Sequence, residues 1–422
     1  MERIFKVKET IAQYPSQFWV LFCGRFIGSA GGSLVWPFMT IYLRQRLNIS
    51  LTTVGLLLAI SSGVGLFSQA IWGPVVDRFG RKLAMLAGLL NEIMVMVGLA
   101  LLGSLEAYAV LIALSGLIEP ASRIGADAMI ADLVEADKRA GAYALLRMIS
   151  MAGWAIGPAV GGVLAATSYL LSFGTAAATA SVVLLSTIFL VKETKQELPE
   201  AEKVHRPAGG YGYILRDLHF LAFCGASILL FMAYEPFLDI LPVYMKEGFG
   251  IAESGFGVAM ATNGLMLVLF QFTVTRVTER YPETYVMAAG AFFTGLAALA
   301  ATLSNSFWLF LLAMIIMTIG ELIWGPTSIA FVAKVAPSDM RGRYMGVYGA
   351  ACGIAWGIGP ITSGYFYDNI APVSVWHLAL VFAIACTLAF GFIGKMAPLA
   401  HQSSLARNTQ NETRESERLT KA

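Results

Sequence analysis

The sequence predicts an all-α membrane protein with twelve transmembrane helices in two pseudo-symmetric six-helix bundles, and three observations carry that prediction. The 422 residues are 57% hydrophobic and 13% charged, against about 25% charged in an ordinary soluble domain. Apolar stretches of roughly 20 residues, each long enough to cross a bilayer, recur along the whole chain. The third observation is an internal repeat. One gapless offset of 202 residues carries Trp154-Ala-Ile-Gly157-Pro158 onto Trp356-Gly-Ile-Gly359-Pro360, Asp77-Arg78 onto Glu279-Arg280, and Tyr42 onto Tyr244. It also carries Glu119 onto Glu321, and Asp137 and Arg139 onto Asp339 and Arg341.

In order, the first copy supplies apolar spans at 17–43, 52–76, 83–104, 107–132, 141–165 and 168–191. The first contains Arg25 and stops at Arg44; it is too long for a cleaved leader and no small-residue cleavage site follows, so it is expected to remain as an anchor. Asp77 to Lys82 separate the second and third spans, Lys138-Arg139 the fourth and fifth, and Lys192 closes the sixth. The second copy supplies 217–245, 254–277, 284–304, 307–333, 343–366 and 373–395, with Lys246, Arg276 to Arg280 and Lys334 to Arg343 as charged breaks.

The domains expected are therefore an N-terminal bundle at 1–191, a linker at 192–216, a C-terminal bundle at 217–397 and a disordered tail at 398–422. The linker is charged and broken by Pro199, Pro207 and Gly209-Gly210. Of the 29 lysines and arginines, all but six fall on one side if the N-terminus is cytoplasmic: Arg25, Arg123 and Arg147 lie in spans, and only Arg44, Arg46 and Lys246 lie opposite. The bias puts both termini on the cytoplasmic face of the cell's inner membrane. A net charge of +2 then reflects topology and gives no reason to expect a nucleic-acid partner. Cys23, Cys224, Cys352 and Cys386 sit in apolar spans without C-x-x-C spacing and read as small residues filling space.

Between the second and third spans, Gly73-Pro-Val-Val-Asp77-Arg78-Phe-Gly80-Arg81-Lys82 fills every fixed position of G-x-x-x-[DE]-R-x-G-R-[RK]. Gly73 permits close helix approach, Gly80 permits a tight turn, and Asp77 can sit against a helix N-terminus or a cation. Arg78, Arg81 and Lys82 hold the turn in the cytoplasm. A weaker copy stands at Thr275-Arg-Val-Thr-Glu279-Arg280. The complete signature resembles that of the major facilitator superfamily. The resemblance implies the twelve-helix fold and gives the motif the role of a gate latch between halves.

The fifth span carries Gly153-Trp-Ala-Ile-Gly157-Pro158-Ala-Val-Gly161-Gly162, which is similar to the antiporter motif of the superfamily's drug:proton branch. Gly153 and Gly157 make a small-xxx-small face, and Pro158 removes a backbone donor. Helix contact alone would also explain the pattern.

A charge inside a span costs several kcal/mol or finds a partner, and nine are present: Arg25, Glu92, Glu119, Arg123, Asp127, Arg147, Glu235, Asp239 and Glu321. Glu119, Arg123 and Asp127 share one stripe at i, i+4, i+8, where they can neutralise one another. Glu321 has no cation within four residues, and a carboxylate alone in low dielectric can take up a proton. Its surroundings, Thr318-Ile-Gly-Glu321-Leu-Ile-Trp-Gly-Pro326, resemble the tenth helix of bacterial multidrug efflux proteins of the lactococcal type, which implies proton coupling or cation binding. A satisfied hydrogen bond between helices is the alternative. Glu235 and Asp239, at i, i+4 on the seventh helix, resemble the acidic seventh helix of the same proteins; pairing with Arg25 or Arg147 across the cavity is the other reading. The chain departs from the branch at Ile112, where its fourth-helix motif carries an arginine, so Arg123 replaces that arginine only if it faces the cavity. Arg147 stands where the lactococcal type carries an acid.

Trp36, Phe231, Tyr234 and Trp324, with Trp154 and Trp356, lie near breakers or carboxylates, and aromatic faces beside acids suit lipophilic cations. No phosphate-cradling loop, metal-ligand cluster or nucleophile elbow appears, so the sequence indicates no cofactor, no enzyme and a gradient as energy source. The function expected is proton-coupled export of amphipathic, cationic small molecules by a monomer in the lipid bilayer, with substrate and protons bound at a site between the two halves. A permease for a sugar, amino acid or lipid precursor, and a transporter-like receptor that no longer cycles, stay open as alternatives.

Overall fold

The computed structural model describes residues 13–135, 138–194, 211–337 and 340–395. Asp137 and Asp339 of the repeat, most of the expected linker and the whole expected tail lie outside the described residues. Within them the chain is helical throughout and no strand occurs. Helix 1 runs from Ser16–Ser33 through a 3-10 turn at Trp36–Phe38 into Met39–Leu47; helices 2 to 6 are Leu51–Phe79, Arg81–Leu101, Leu105–Leu133, Arg139–Thr167 and Tyr169–Leu190. After a short turn at Tyr211–Ile214, helix 7 is likewise divided, into Leu218–Tyr234, Pro236–Asp239 and Leu241–Phe249. Helices 8 to 12 are Glu253–Thr278, Glu283–Leu303, Phe307–Val335, Arg341–Asn369 and Ser374–Lys395.

Eleven of the twelve are long and apolar enough to cross a membrane. Helix 11 has the length, but Arg341, Arg343, Asp368 and its many glycines lower its apolarity. The breaks in helices 1 and 7 fall where Pro37, Pro236 and Pro242 each withhold a backbone donor. They obey the 202-residue offset: Met39–Leu47 corresponds to Leu241–Phe249, and the two segments end on Asn48 (φ 51°) and Gly250 (φ 67°), both left-handed. That conformation suits glycine and, among other residues, asparagine best. Side-chain caps start several helices, as where Ser50 Oγ accepts from Thr53 N–H at 3.1 Å and Asp217 Oδ1 from Phe220 N–H at 3.0 Å.

Each half closes on itself, helix 3 on helices 4 and 6, helix 1 on helix 5, and helix 10 on helices 8 and 9. The halves meet along two seams related by the repeat, helix 2 against helix 11 and helix 5 against helix 8. Twelve crossings return the chain to its starting side, so Tyr14 and Lys395 share one end, called here the near end. At the far end the seams are tied by polar links. Arg44 donates to Glu247 Oε1 and Oε2 (2.5 and 3.0 Å) and to Asp368 Oδ1 (3.1 Å), while Asp368 Oδ2 accepts from Thr52 N–H and Oγ1, both at 2.8 Å. Tyr169 donates to Glu253, which also pairs with Lys246. The near end of helix 2 is uncovered by contrast, with Phe79 exposed and the Asp77 side chain 76% exposed. The molecule is sealed at the far end and open toward the near end.

Candidate functional site

Two adjoining cavities occupy the space between these helices. One, of about 320 Å³, straddles the halves and is lined by Trp36, Glu119 and Trp154 from the first half and Asp239, Met260 and Trp356 from the second. The other, of about 300 Å³, lies inside the first half among Arg25, Asn91, Glu92, Ser115, Glu119 and Arg123. Trp36, Glu119 and Trp154 line both, so the two compartments meet there.

Helix 4 builds the charged wall. Residues four apart share a face, and Ser115, Glu119 and Arg123 project into the inner cavity in that rhythm, with Ser115 Oγ donating to Glu119 Oε2 at 3.1 Å. The mutual neutralisation expected along this stripe is kept only in part: Glu119 and Arg123 attract one another by charge without a close ion pair. Asp127 is drawn to Arg25 of helix 1 instead. Arg123 faces the cavity, the condition under which it could stand in for the arginine that Ile112 replaces.

Asp239 reaches the central cavity because the break in helix 7 turns it inward, whereas Glu235, 1% exposed, lies behind it. Ser363 Oγ of helix 11 approaches Glu235 Oε2 at 3.5 Å, and the carboxyl of Asp239 is a further hydrogen-bond partner of Glu235. Pairing of these acids with Arg25 or Arg147 is not found: Arg25 is held by Asp127, and Arg147 lies on the exposed face of helix 5.

Glu321 lines neither cavity. Asn263 Nδ2 of helix 8 donates to Glu321 Oε2 at 2.8 Å and to Thr318 Oγ1 at 3.1 Å, and Tyr234 of helix 7 is a further hydrogen-bond partner of the carboxyl. The carboxyl thus joins helices 7, 8 and 10. Of the aromatic residues expected in the cavity, Trp36 is there. Phe231, Tyr234 and Trp324 instead stack behind it, Trp324 edge-on to Phe231 and Tyr234 with centroids 5.1 and 5.5 Å away. Bulky rings on the inner face of helices 7 and 10 fill the second bundle's own core, and Trp356 meets the cavity in their place.

In the gating motif, Gly80 adopts φ 104°, which only glycine tolerates without strain, and ends helix 2 one residue before helix 3 begins. Glu193, after helix 6, occupies the helix 3 N-terminus, its carboxylate accepting from the N–H groups of Arg81 and Lys82 at 3.0 Å each. Asp77 therefore holds no helix end; it lies 3.8 Å from Arg81, which donates to Asp132 at 2.9 Å. Gly73 has open space beside it, so close approach is not its role here. Arg78 lies over the ring of Phe79, and Lys82 Nζ donates to the Ile188 carbonyl at 2.7 Å.

The glycines of helix 5 do form contact faces. A Cβ at Gly153 would come 2.8 Å from Ser29 of helix 1, those at Gly157 and Gly161 would overlap Ser33 and Leu34, and one at Gly162 would come 2.8 Å from the Glu253 carbonyl of helix 8. Pro158 presents its carbonyl to Gly257 of helix 8. Cys224 and Cys386 are buried as expected of space-filling residues, but Cys23 is exposed.

Sequence reasoning missed three polar neighbours. Glu92 was counted among the nine charges without a role, yet it shares the inner cavity with Glu119. Asn91, 2% exposed with Nδ2 on the Leu114 carbonyl, and Asn263 carry no charge and match no motif; an asparagine inside an apolar span was the available signal.

Residues 21–252 and 223–418 each match the family model described as Major Facilitator Superfamily. Among curated relatives, the Na+, Li+, K+/H+ antiporter of Planococcus maritimus is 29% identical over 383 residues, covering 83% of this chain and 87% of its own. Multidrug resistance protein 1 of Bacillus subtilis is 25% identical, with 88% and 95% covered. Among solved structures, the peptide transporter POT in complex with sulfate superposes with a TM-score of 0.75 at 18% identity, over 91% of this chain and 94% of that one. This last likeness concerns the fold.

Proposed function

The chain belongs to the major facilitator superfamily, and from that premise we propose that it is a proton-coupled exporter of amphipathic, cationic small molecules. The observation that carries the reading is the pairing of Glu119 and Asp239, one from each half, in a cavity walled by Trp36, Trp154 and Trp356. A cation over an aromatic face is attracted by the ring quadrupole, more so where water is scarce. A carboxylate accepts a proton or a cation at the same oxygens, so proton and cargo exclude one another, and that exclusion is antiport. Glu321 and Glu235 lie deeper, among helices 7, 8, 10 and 11 of the second half, where gain of a proton rewrites the hydrogen bonds that hold those helices together. In this reading both termini are cytoplasmic, the molecule is a monomer in the cell membrane facing inward, and Asp77 to Lys82 latch the near end when it closes. The name of the Bacillus relative, Multidrug resistance protein 1, supports drugs as the class of cargo, and their charge is argued from the cavity alone.

A second reading is exchange of alkali cations for protons, favoured by the name of the Planococcus relative and by two carboxylates, Glu92 and Glu119, on one cavity with Ser115 beside them. Proteoliposomes with an imposed pH gradient and an internal pH dye separate the readings. Lipophilic cations are expected to discharge the gradient in the wild type and not in Asp239→Asn. Discharge by Na+, Li+ or K+ alone would establish the second reading, and a response only to sugars, amino acids or lipids would replace both with a metabolite permease.

A further inference from the structure

Resting on the export reading, the structure assigns a narrower cargo: we infer that the site selects amphiphilic cations that also bear a carboxylate, and that Arg123 is the residue that selects them. The two compartments differ in character. The central one offers three tryptophans with Glu119 and Asp239, a place for a flat cationic ring system. The inner one continues past Glu119 to Arg123, one helical turn and about 6 Å nearer the open end. Of the groups around Arg123, Glu119 attracts it by charge, and none forms a close contact with it. Asp127, one turn further on, is held by Arg25 of helix 1; Glu119, one turn back, accepts from Ser115; and among the described residues Arg123 forms no ion pair. Glu92 of helix 3 faces the same cavity without reaching it.

Arg123 is exposed within the open cavity and so accessible to an incoming anion, and its planar fork fits a carboxylate in two parallel hydrogen bonds. Arg123 beside Glu119 thus offers opposite charges about one turn apart. A zwitterion meets both, with its ring on the tryptophans, its cation toward Glu119 and Asp239, and its carboxylate on Arg123. A simple cation satisfies only the acids and leaves the arginine as repulsion. The asymmetry belongs to the first half alone, because the offset places Gly325 where Arg123 stands.

Rhodamine B and its ethyl ester test this, since they share one cationic xanthene and differ only in the free carboxylate. Binding of each to the full chain in lipid nanodiscs is read by fluorescence polarisation, without need of a gradient. The wild type is expected to hold the acid about tenfold or more tighter than the ester, the worth of one charge-assisted contact. Arg123→Gln should bring the ratio near one, and Arg123→Lys should keep part of it. Equal affinities in the wild type, or an unchanged ratio in a folded Arg123→Gln, would overturn the inference and leave the export reading standing. If neither dye binds the wild type, both fail together.

Discussion

Gly257 lies against the Pro158 carbonyl across the seam between the halves: a Cβ there would come within 2.6 Å of that oxygen. Its repeat counterpart Gly55 stands in the same relation to Pro360, at 2.5 Å. Backbone cannot yield as a flexible side chain does, so Gly257→Val is expected to force the seam apart. Expression should persist while transport in proteoliposomes falls more than tenfold, and a cysteine at Thr52, at the far end, should become reactive to a membrane-impermeant maleimide. Full transport by the valine variant would show that the seam does not stay closed at this point.

The Arg44 strap makes a separate prediction. Both its carboxylate partners sit on the other half, and partly exposed pairs of this kind contribute on the order of 1 kcal/mol, about fivefold in a two-state population. Arg44→Glu should widen the spin-label distance distribution across the far end. Pairing it with Glu247→Arg should narrow it again in part, since Asp368 still faces the new glutamate; a double variant as loose as the single one would mean that the Glu247 pair is not what holds the strap.

The acids separate by position. Asp239→Asn should weaken binding of lipophilic cations, because its carboxylate lines the cavity. Glu321→Gln should spare binding and flatten the dependence of transport on pH, since its hydrogen bonds run between helices and not toward cargo. If transport by Glu321→Gln follows the same pH profile as the wild type, Glu321 has no part in coupling.

At the near end, Glu193→Gln removes the charge that faces the helix 3 N-terminus, a change worth about 1 kcal/mol. A lower thermal midpoint with transport kept is the expected outcome. Asp77→Asn should do the reverse, leaving the midpoint nearly in place and abolishing turnover, because its exposed carboxylate makes only a long 3.8 Å ion pair with Arg81 in the state seen here. Normal turnover by Asp77→Asn would refute the latch.

Much of the fold was legible because apolar length and a 202-residue offset are properties of a linear string. So was the turn at Gly80, where the motif and the φ of 104° agree. What the string hides is direction. Periodicity put Glu119, Arg123 and Asp127 on one stripe but could not say that helix 1 would bring Arg25 to Asp127. Nearness to breakers and carboxylates drew Phe231, Tyr234, Trp324 and Trp356 alike toward the cargo, yet the first three fill the core of their own bundle and only Trp356 of these faces the cavity. Asn263, the partner of Glu321, is polar without charge and left no mark that spacing could detect.

The two glycine–proline contacts would also set how the molecule can move if both stay closed. Two points define a line, and a rigid half that keeps both Gly55 on Pro360 and Gly257 on Pro158 can turn only about the line joining them. The opening at the near end then has a single degree of freedom, so one distance measured across its mouth reports the position of the entire half.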